Sequence, residues 1–359
     1  MEKILAINPG STSTKIAVYE EDKEIFERVV RHKNSELEYG KYISEQYDFR
    51  KKVILDALEE AGIDIKKITA VVGRGGMIRP LEGGTYFIND EMLQDCRVGY
   101  AGQHACNLGA LISDEIGKKL GIPSYIVDPP VVDEMSDIAK VTGLPEIQRR
   151  SLFHALNHKA VVLRAAEELG KKYEDLNIIV AMLGGGISIG IHEKGKVVDV
   201  NDAFDGEGPF SPERSGSLPL GYLVGRCFAS DNNMDEIKKK IVGSGGVTAH
   251  LGTNDMREVG KKIEEGDAYA KLIYEAMAYQ IAKSIGALSV VTNGKIDAIV
   301  ISGGIAYDEK FVEKIKERVS FIGKVFVYPG EDEMQALANG ALRVLRGEEK
   351  AKNYKPELL

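Results

Sequence analysis

The apolar positions fall first into short runs of strand length. Ile4 to Ile7 is one such run; it stops at Asn8-Pro9-Gly10, and a second, Lys15 to Tyr19, follows the turn at once. A tight polar connection leads to a third run, Glu24 to Val30. Short β-rich runs joined by turn residues predict consecutive hairpins. The pattern returns later as Ile178 to Leu183, the turn Gly184-Gly185-Gly186, Ile187 to His192, and Lys196 to Val200. At an offset of 175 residues, Ala6, Gly10 and Ser13 fall on Ala181, Gly185 and Ser188.

The two copies also end alike. Ile68 to Gly76 lies over Ile296 to Gly304 at an offset of 228, so the second copy carries 53 additional residues, expected between about 202 and 265. A helix precedes each closing strand. Phe49 to Ala61 is followed by Gly62 as a stop, and Asp267 is the expected N-cap of a long helix ending near Gly294. Leu272, Ile273, Met277, Ile281, Ile285 and Leu288 recur at spacings of three and four, which predicts one apolar face. Two related α/β domains facing each other are the expected architecture.

Composition sharpens this picture at two points. Glycine supplies 39 of 359 residues, above the average of about 7%. The glycines cluster between apolar runs, where positive φ or close backbone approach is needed. The net charge of −8 argues against nucleic acid and anionic membranes as partners, since both need a positive field. No run approaches the ~20 apolar residues of a membrane span, and Ile4 to Ile7 is too short for a signal-peptide core. Cys96, Cys106 and Cys227 form no C-x-x-C pair, which fits a reducing compartment. A soluble, cytoplasmic protein is expected.

The glycine turns can be sorted by the element each one enters. A dinucleotide fingerprint runs from strand into helix, whereas both turns here run into another strand. Gly190 to Lys196 imitates a P-loop, but Val197 stands next where Ser or Thr is required. What remains is a hairpin turn rich in donors: Asn8, Ser11, Ser13 and Lys15 around Gly10. Backbone N–H groups and hydroxyls in such a turn can form an anion-binding concavity. A nucleotide clamp made of two glycine hairpins is the reading these turns favour.

Asn8-Pro-Gly-Ser-Thr-Ser-Thr-Lys15, with Val127 to Met135 (VDPPVVDEM), resembles the motifs of the acetokinase family of carboxylate kinases. The resemblance runs from residue 3 to about 345. It implies an α/β protein of two duplicated ribonuclease-H-like domains, of the actin and sugar-kinase type, with a cleft between them. The domains would be 1–147 and 148–334, the second carrying nucleotide-binding elements, and a C-terminal helix over 335–359 would pack on the first. The specific form of the motifs implies a short-chain fatty-acid kinase that turns ATP and butanoate into ADP and butanoyl phosphate. Branched-chain, acetate or propionate kinases of the same family are the alternatives. A sugar or glycerol kinase, or a non-catalytic ATP-switched binding protein, is less favoured.

That chemistry asks for charge neutralisation and in-line positioning rather than a general base, because a carboxylate with a pKa near ~4 is already ionised at pH 7. Arginine suits the task through paired hydrogen bonds and a permanent charge. By resemblance, Arg74 in Gly73-Arg-Gly-Gly76 and Arg214 in Pro212-Glu-Arg-Ser-Gly216 hold the substrate carboxylate and the transferring phosphoryl group. His154 matches the histidine that bonds that phosphoryl group, and Asp128 the catalytic aspartate. Arg150 is a weaker candidate. His158 shares a helical face with His154, but without a third ligand nearby the pair does not read as a metal site, and a helix-surface or packing role is expected of His158.

Mg²⁺ takes oxygen ligands and needs only one or two carboxylates. The resemblance places a metal-associated glutamate among Glu331, Asp332 and Glu333, with Glu333 favoured, and Asp128 as a second metal-side acid. Complementing a helix dipole is the ordinary alternative for these three acids. For ATP/ADP, the resemblance assigns Asn8, Gly10, Ser11, Ser13, Lys15, Gly184, Gly185 and Gly186 to the phosphates. Ser302-Gly303-Gly304-Ile305, with Asp255 and Arg257, is assigned to the adenosine side. Met182 and Gly185 stand where acetate kinases carry histidine and asparagine, which disfavours acetate as the main substrate. Phe153 and the corner 130–132 are the candidate acyl lining. The expected partners are a small carboxylate, a nucleotide and further copies of the chain.

Overall fold

The computed structural model describes residues 1–33, 37, 42–229 and 233–356. They form two compact units, each with its own sheet. The first comprises Met1–Asp133, Ala155–Asn157 and Asp332–Leu359; the second comprises Glu134–His154 and His158–Glu331.

In the first unit, β1 (Lys3–Pro9), β2 (Ser13–Glu20) and β3 (Lys23–Arg31) make the antiparallel hairpins, and β4 (Ala70–Arg74) pairs parallel to β1. Antiparallel β5 (Thr85–Phe87), parallel β6 (Ser124–Val127) and a short strand at Lys352–Asn353 complete seven strands. Ile4, Leu5, Ala6 and Ile7 are all fully buried, so β1 is covered on both faces and reads as a continuous apolar run. By contrast β3, at the sheet edge, alternates between half-buried and exposed positions. The helix Tyr47–Glu60 buries Arg50, Ile54, Ala57 and Leu58, one stripe at helical spacing. Helix Asn107–Leu120 lies so close to β4 that a Cβ at either Gly73 or Gly109 would strike the other segment's backbone.

The second unit repeats this core. β7 (Asn177–Leu183), β8 (Ile187–Glu193) and β9 (Lys196–Val200) form the hairpins, with β10 (Ala298–Gly303) parallel to β7 and β11 (Lys324–Pro329) parallel to β10. The order β11-β10-β7-β8-β9 matches β6-β4-β1-β2-β3 in strand direction and sequence order. The additional sequence is helical, at Leu220–Cys227, Met234–Ile241, Gly246–Leu251 and Met256–Glu264. Asp267 accepts hydrogen bonds from the Tyr269 and Ala270 amides and starts the helix Ala268–Ser289. Ile273, Met277, Ile281 and Ile285 of that helix enter the core, but Leu272 is 59% exposed and lies off the buried stripe.

Two sequence expectations differ from the structure. The final helix covers Glu333–Leu345 and packs on β1 and β4, but it does not continue to 359. Gly347 turns the chain at φ +74, Lys352–Asn353 pairs with β5, and the Tyr354 hydroxyl donates to Asp95 at 2.5 Å from a buried site. Residues 357–359 lie outside the described residues. Residues 134–147, assigned by sequence to the first domain, are held within the second unit: Ser136 donates to the Val198 carbonyl, and Arg149 bonds Ala139, Asp199 and Glu207. Among the described residues no helix is long and apolar enough to cross a membrane, and Cys96, Cys106 and Cys227 are free thiols.

Candidate functional site

Three elements of the first unit bring Asn8, Arg74 and Glu333 together. Asn8 is next to last in β1, Arg74 ends the neighbouring β4, and Glu333 opens the final helix. The Asn8 amide donates to Glu333 Oε2 at 2.6 Å, and the Arg74 guanidinium bonds Glu333 Oε1. Arg74 and Glu333 side chains are only 9% and 15% exposed, so this ion pair is largely withdrawn from water. The residue before the helix, Asp332, adopts φ +41. Asp128, just past β6, is likewise left-handed at φ +39; its Oδ1 accepts from the Gly84 amide at 2.7 Å and its own amide donates back to Gly84. Non-glycine residues held at positive φ cost roughly 1–3 kcal/mol each and cluster at functional sites.

The turn between β1 and β2 closes through the Gly10 amide, which donates to Ser13 O at 2.8 Å. Behind it stands Arg50, a residue that sequence reasoning missed. Its guanidinium donates to the carbonyls of Ser13 (2.9 Å) and Ser11 (3.2 Å), to Thr14 Oγ1 and to Gln46. The side chain is fully buried, and none of these partners is a carboxylate. Burial alone pushes its pKa down to about 10. Its spacing from Ile54, Ala57 and Leu58 on one helix face was the available signal, masked because an arginine on a helix usually reads as solvated. Lys15 faces the next strand and pairs with Glu27 at 3.1 Å. Ser11 lies exposed on the turn.

In the second unit, Gly184, Gly185 and Gly186 make the corresponding turn, closed by the Gly184 amide donating to Gly186 O. The Gly185 carbonyl accepts from Ser211 Oγ at 2.6 Å and from the Glu213 amide. Gly186 is glycine because a Cβ there would collide with the Arg214 guanidinium. That guanidinium sits 4.9 Å from the Phe204 ring and bonds the Ala203 carbonyl, and its Nε is buried without a hydrogen-bond partner among the described residues. Burial depresses its pKa. His154 packs on the same Phe204 ring, with centroids 5.9 Å apart, and its Nδ1 lies 2.9 Å from Ser188 Oγ. One aromatic side chain thus carries both a cation and an imidazole.

A cavity of about 1250 Å³ opens beside the glycine turn, within the second unit. Gly184, Gly185, Asp255, Arg257, Gly304, Ile305 and Glu331 are among its lining residues. Pockets of this size bury small organic ligands. Asp255 caps the helix Met256–Glu264 and pairs with Arg257 through two short contacts, which holds its carboxyl down at about 2. Ser302 and Gly303 are not in the lining: Ser302 is buried in β10, and Gly303, at φ +91, exchanges hydrogen bonds with Gly330.

Other candidates fall elsewhere. Arg150 pairs with Asp202 and Asp205 at a half-exposed position. Phe153 is fully buried, with its ring in an edge-type contact with His158. Val131 and Val132 are buried in the first unit. Among the described residues no group of three or more His, Cys, Asp or Glu side chains is placed to hold a metal ion by itself.

The duplicated five-strand cores define the actin and sugar-kinase fold. Acetate kinase from Porphyromonas gingivalis shares it at a TM-score of 0.79 and 23% identity, covering 96% of this chain and 100% of that one. A propionate kinase from Francisella tularensis does so at 0.73 and 22% identity, covering 94% and 98%. These are likenesses of fold. The acetokinase family model matches residues 137–334, and Butyrate kinase 1 of Clostridium acetobutylicum is 54% identical over 355 residues, 99% of this chain and 100% of that protein. The chain belongs to the acetokinase family.

Proposed function

We propose that the protein is a short-chain fatty-acid kinase that transfers the γ-phosphoryl group of ATP directly to butanoate, giving butanoyl phosphate and ADP. The observation that carries the choice of acid is the full-length 54% identity to Butyrate kinase 1. A carboxylate oxygen attacks the γ-phosphorus as the bond to the ADP oxygen breaks. The nucleophile is ionised at neutral pH, so the protein's work is orientation and charge neutralisation.

In this reading Arg74 takes the butanoate carboxylate, with Glu333 and Asn8 fixing the guanidinium. Arg214 and His154 take phosphoryl oxygens, and the buried unpaired Nε of Arg214 is a donor suited to an anion. The Gly10 and Gly184–Gly186 turns offer amides to the phosphates. The shelf formed by Gly304 and Ile305, with Asp255 and Arg257, accepts the adenosine in the cavity. Glu333 and Asp128, as carboxylates, are the hard oxygen ligands that Mg²⁺ takes, and would hold it. When bound, Mg²⁺ supplies neutralisation of phosphate charge.

The test is hydroxylamine trapping of acyl phosphate from Mg-ATP with butanoate, isobutanoate, propionate and acetate, with glycerol and glucose monitored by ADP release. Hydroxamate is expected with butanoate at the highest kcat/KM. No hydroxamate with any acid of two to five carbons would overturn the proposal.

A further inference from the structure

Behind His154 runs an unbroken file of polar groups, all within the second unit. His154 Nδ1 is 2.9 Å from Ser188 Oγ, which is 2.9 Å from His158 Nε2. His158 Nδ1 is 3.3 Å from His192 Nε2, and His192 Nδ1 is 2.6 Å from the Tyr173 hydroxyl. Ser188, His158 and His192 are completely buried, and every ring nitrogen of His158 and His192 is used inside the file. Burial drives His158 down to about 3 and His192 well below its ordinary range, so both rings are neutral. Each neutral imidazole carries one proton, donates once and accepts once.

Proton counting leaves the file two polarities, and its far end selects one. A phenol is a stronger acid than a neutral imidazole N–H, and an imidazole nitrogen is a better acceptor than a phenol oxygen, so Tyr173 donates to His192 Nδ1. The Lys159 ammonium, 5.4 Å from the Tyr173 ring centroid and paired with Glu134, favours the same direction. His192 then donates from Nε2 to His158 Nδ1, and His158 donates from Nε2 to Ser188. Ser188 has its hydroxyl proton left for His154 Nδ1.

We propose that Tyr173, His192, His158 and Ser188 are positioning residues that lock His154 as the Nε2–H tautomer, so that it meets a phosphoryl oxygen as a donor. The second half rests on the reading of His154 given above; the first rests on the hydrogen-bond geometry and on the relative acidities of phenol and imidazole. Which ring nitrogen carries the proton is decided by the bond the other one makes. Outer partners of this type affect function by factors of about 10–100 where they orient metal-bound histidines.

The experiment uses the full chain with ¹⁵N-labelled histidine. Long-range ¹H–¹⁵N spectra, with His154 assigned by His154→Gln, should show the Nε2–H pattern in the unmodified protein. Tyr173→Phe and Ser188→Ala should each convert His154 to a tautomer mixture. kcat for acyl phosphate formation should fall about tenfold while KM for ATP and butanoate stays put. Ser188→Ala cuts the file beside His154, so it reads the same link if Tyr173→Phe does not fold. An Nδ1–H pattern in the unmodified protein, or an unchanged tautomer in the folded variants, overturns the lock. Undiminished turnover in His154→Gln instead overturns the phosphoryl contact, and with it the proposed use of the lock.

Discussion

Arg50→Met should separate binding from folding. The variant removes a buried positive charge that no carboxylate among the described residues neutralises, one backbone thickness behind the turn assigned to phosphate. At an effective dielectric of about 20, a unit charge roughly 8 Å from a phosphate contributes ~2 kcal/mol per unit of phosphate charge. That corresponds to about a 30-fold loss in kcat/KM for ATP. Stability should move less. The carbonyls of Ser11 and Ser13 and the Thr14 hydroxyl lose a donor, at ~1–3 kcal/mol each where burial persists. Relief of guanidinium desolvation, several kcal/mol, offsets most of this. Arg50→Lys keeps the charge but cannot span all three acceptors, so it should fall between. Steady-state kinetics by hydroxamate trapping, run at two salt concentrations beside urea melts, gives both quantities. A folded Arg50→Met with unaltered KM, kcat and salt dependence would refute the electrostatic role.

Gly186→Ala should displace the Arg214 guanidinium and cost on the order of 100-fold in kcat/KM, with circular dichroism close to that of the parent; retention of full activity would detach Arg214 from the chemistry. Glu134→Gln leaves the Lys159 ammonium buried without its charge partner and should cost ~3–5 kcal/mol in urea melts. The double variant Glu134→Gln/Lys159→Met should recover most of that; equal losses in single and double variants would contradict it. Stability should also fall as pH drops below 6.5. His158 is held near 3 in the folded chain, and His192 is lowered too, so the unfolded chain takes up their protons first. The slope is about 1.4 kcal/mol per pH unit per histidine, absent above pH 6.5 where both states are neutral. Melts between pH 7.5 and 5 that show no such slope would mean these rings are charged in the fold.

The duplicated core was legible because its signals are local. Asn8-Pro9-Gly10 and Gly184-Gly185-Gly186 interrupt apolar runs at the same place in each copy, and Asp267 caps its helix with the expected bonds. Long-range effects were not legible. Arg50 lies 37 residues from the carbonyl of Ser13 that it holds. Lys352–Asn353 is too short and polar to read as a strand, and only pairing with β5 makes it one. His158 read equally as a helix-surface or a packing residue; it is fully buried, and its bond to Ser188 depends on the register of β8. Of the candidate residues, those that shape backbone, such as Gly186, follow from local pattern. The partnership of Asn8, Arg74 and Glu333 joins positions up to 325 residues apart.

The division of the chain has a consequence for the order in which it is made. Residues 134–331 hold all of the second sheet's unit, broken only by Ala155–Asn157, whereas the other unit takes its helix Glu333–Leu345 and its edge pairing at Lys352–Asn353 from sequence translated afterwards. On the ribosome, the earlier-made strands β1 to β6 must wait with β1 and β4 uncovered by that helix. The piece synthesised first is therefore the one completed last, and truncation anywhere before residue 333 should leave it exposed to aggregation and chaperone capture while the later-made piece can already close its core.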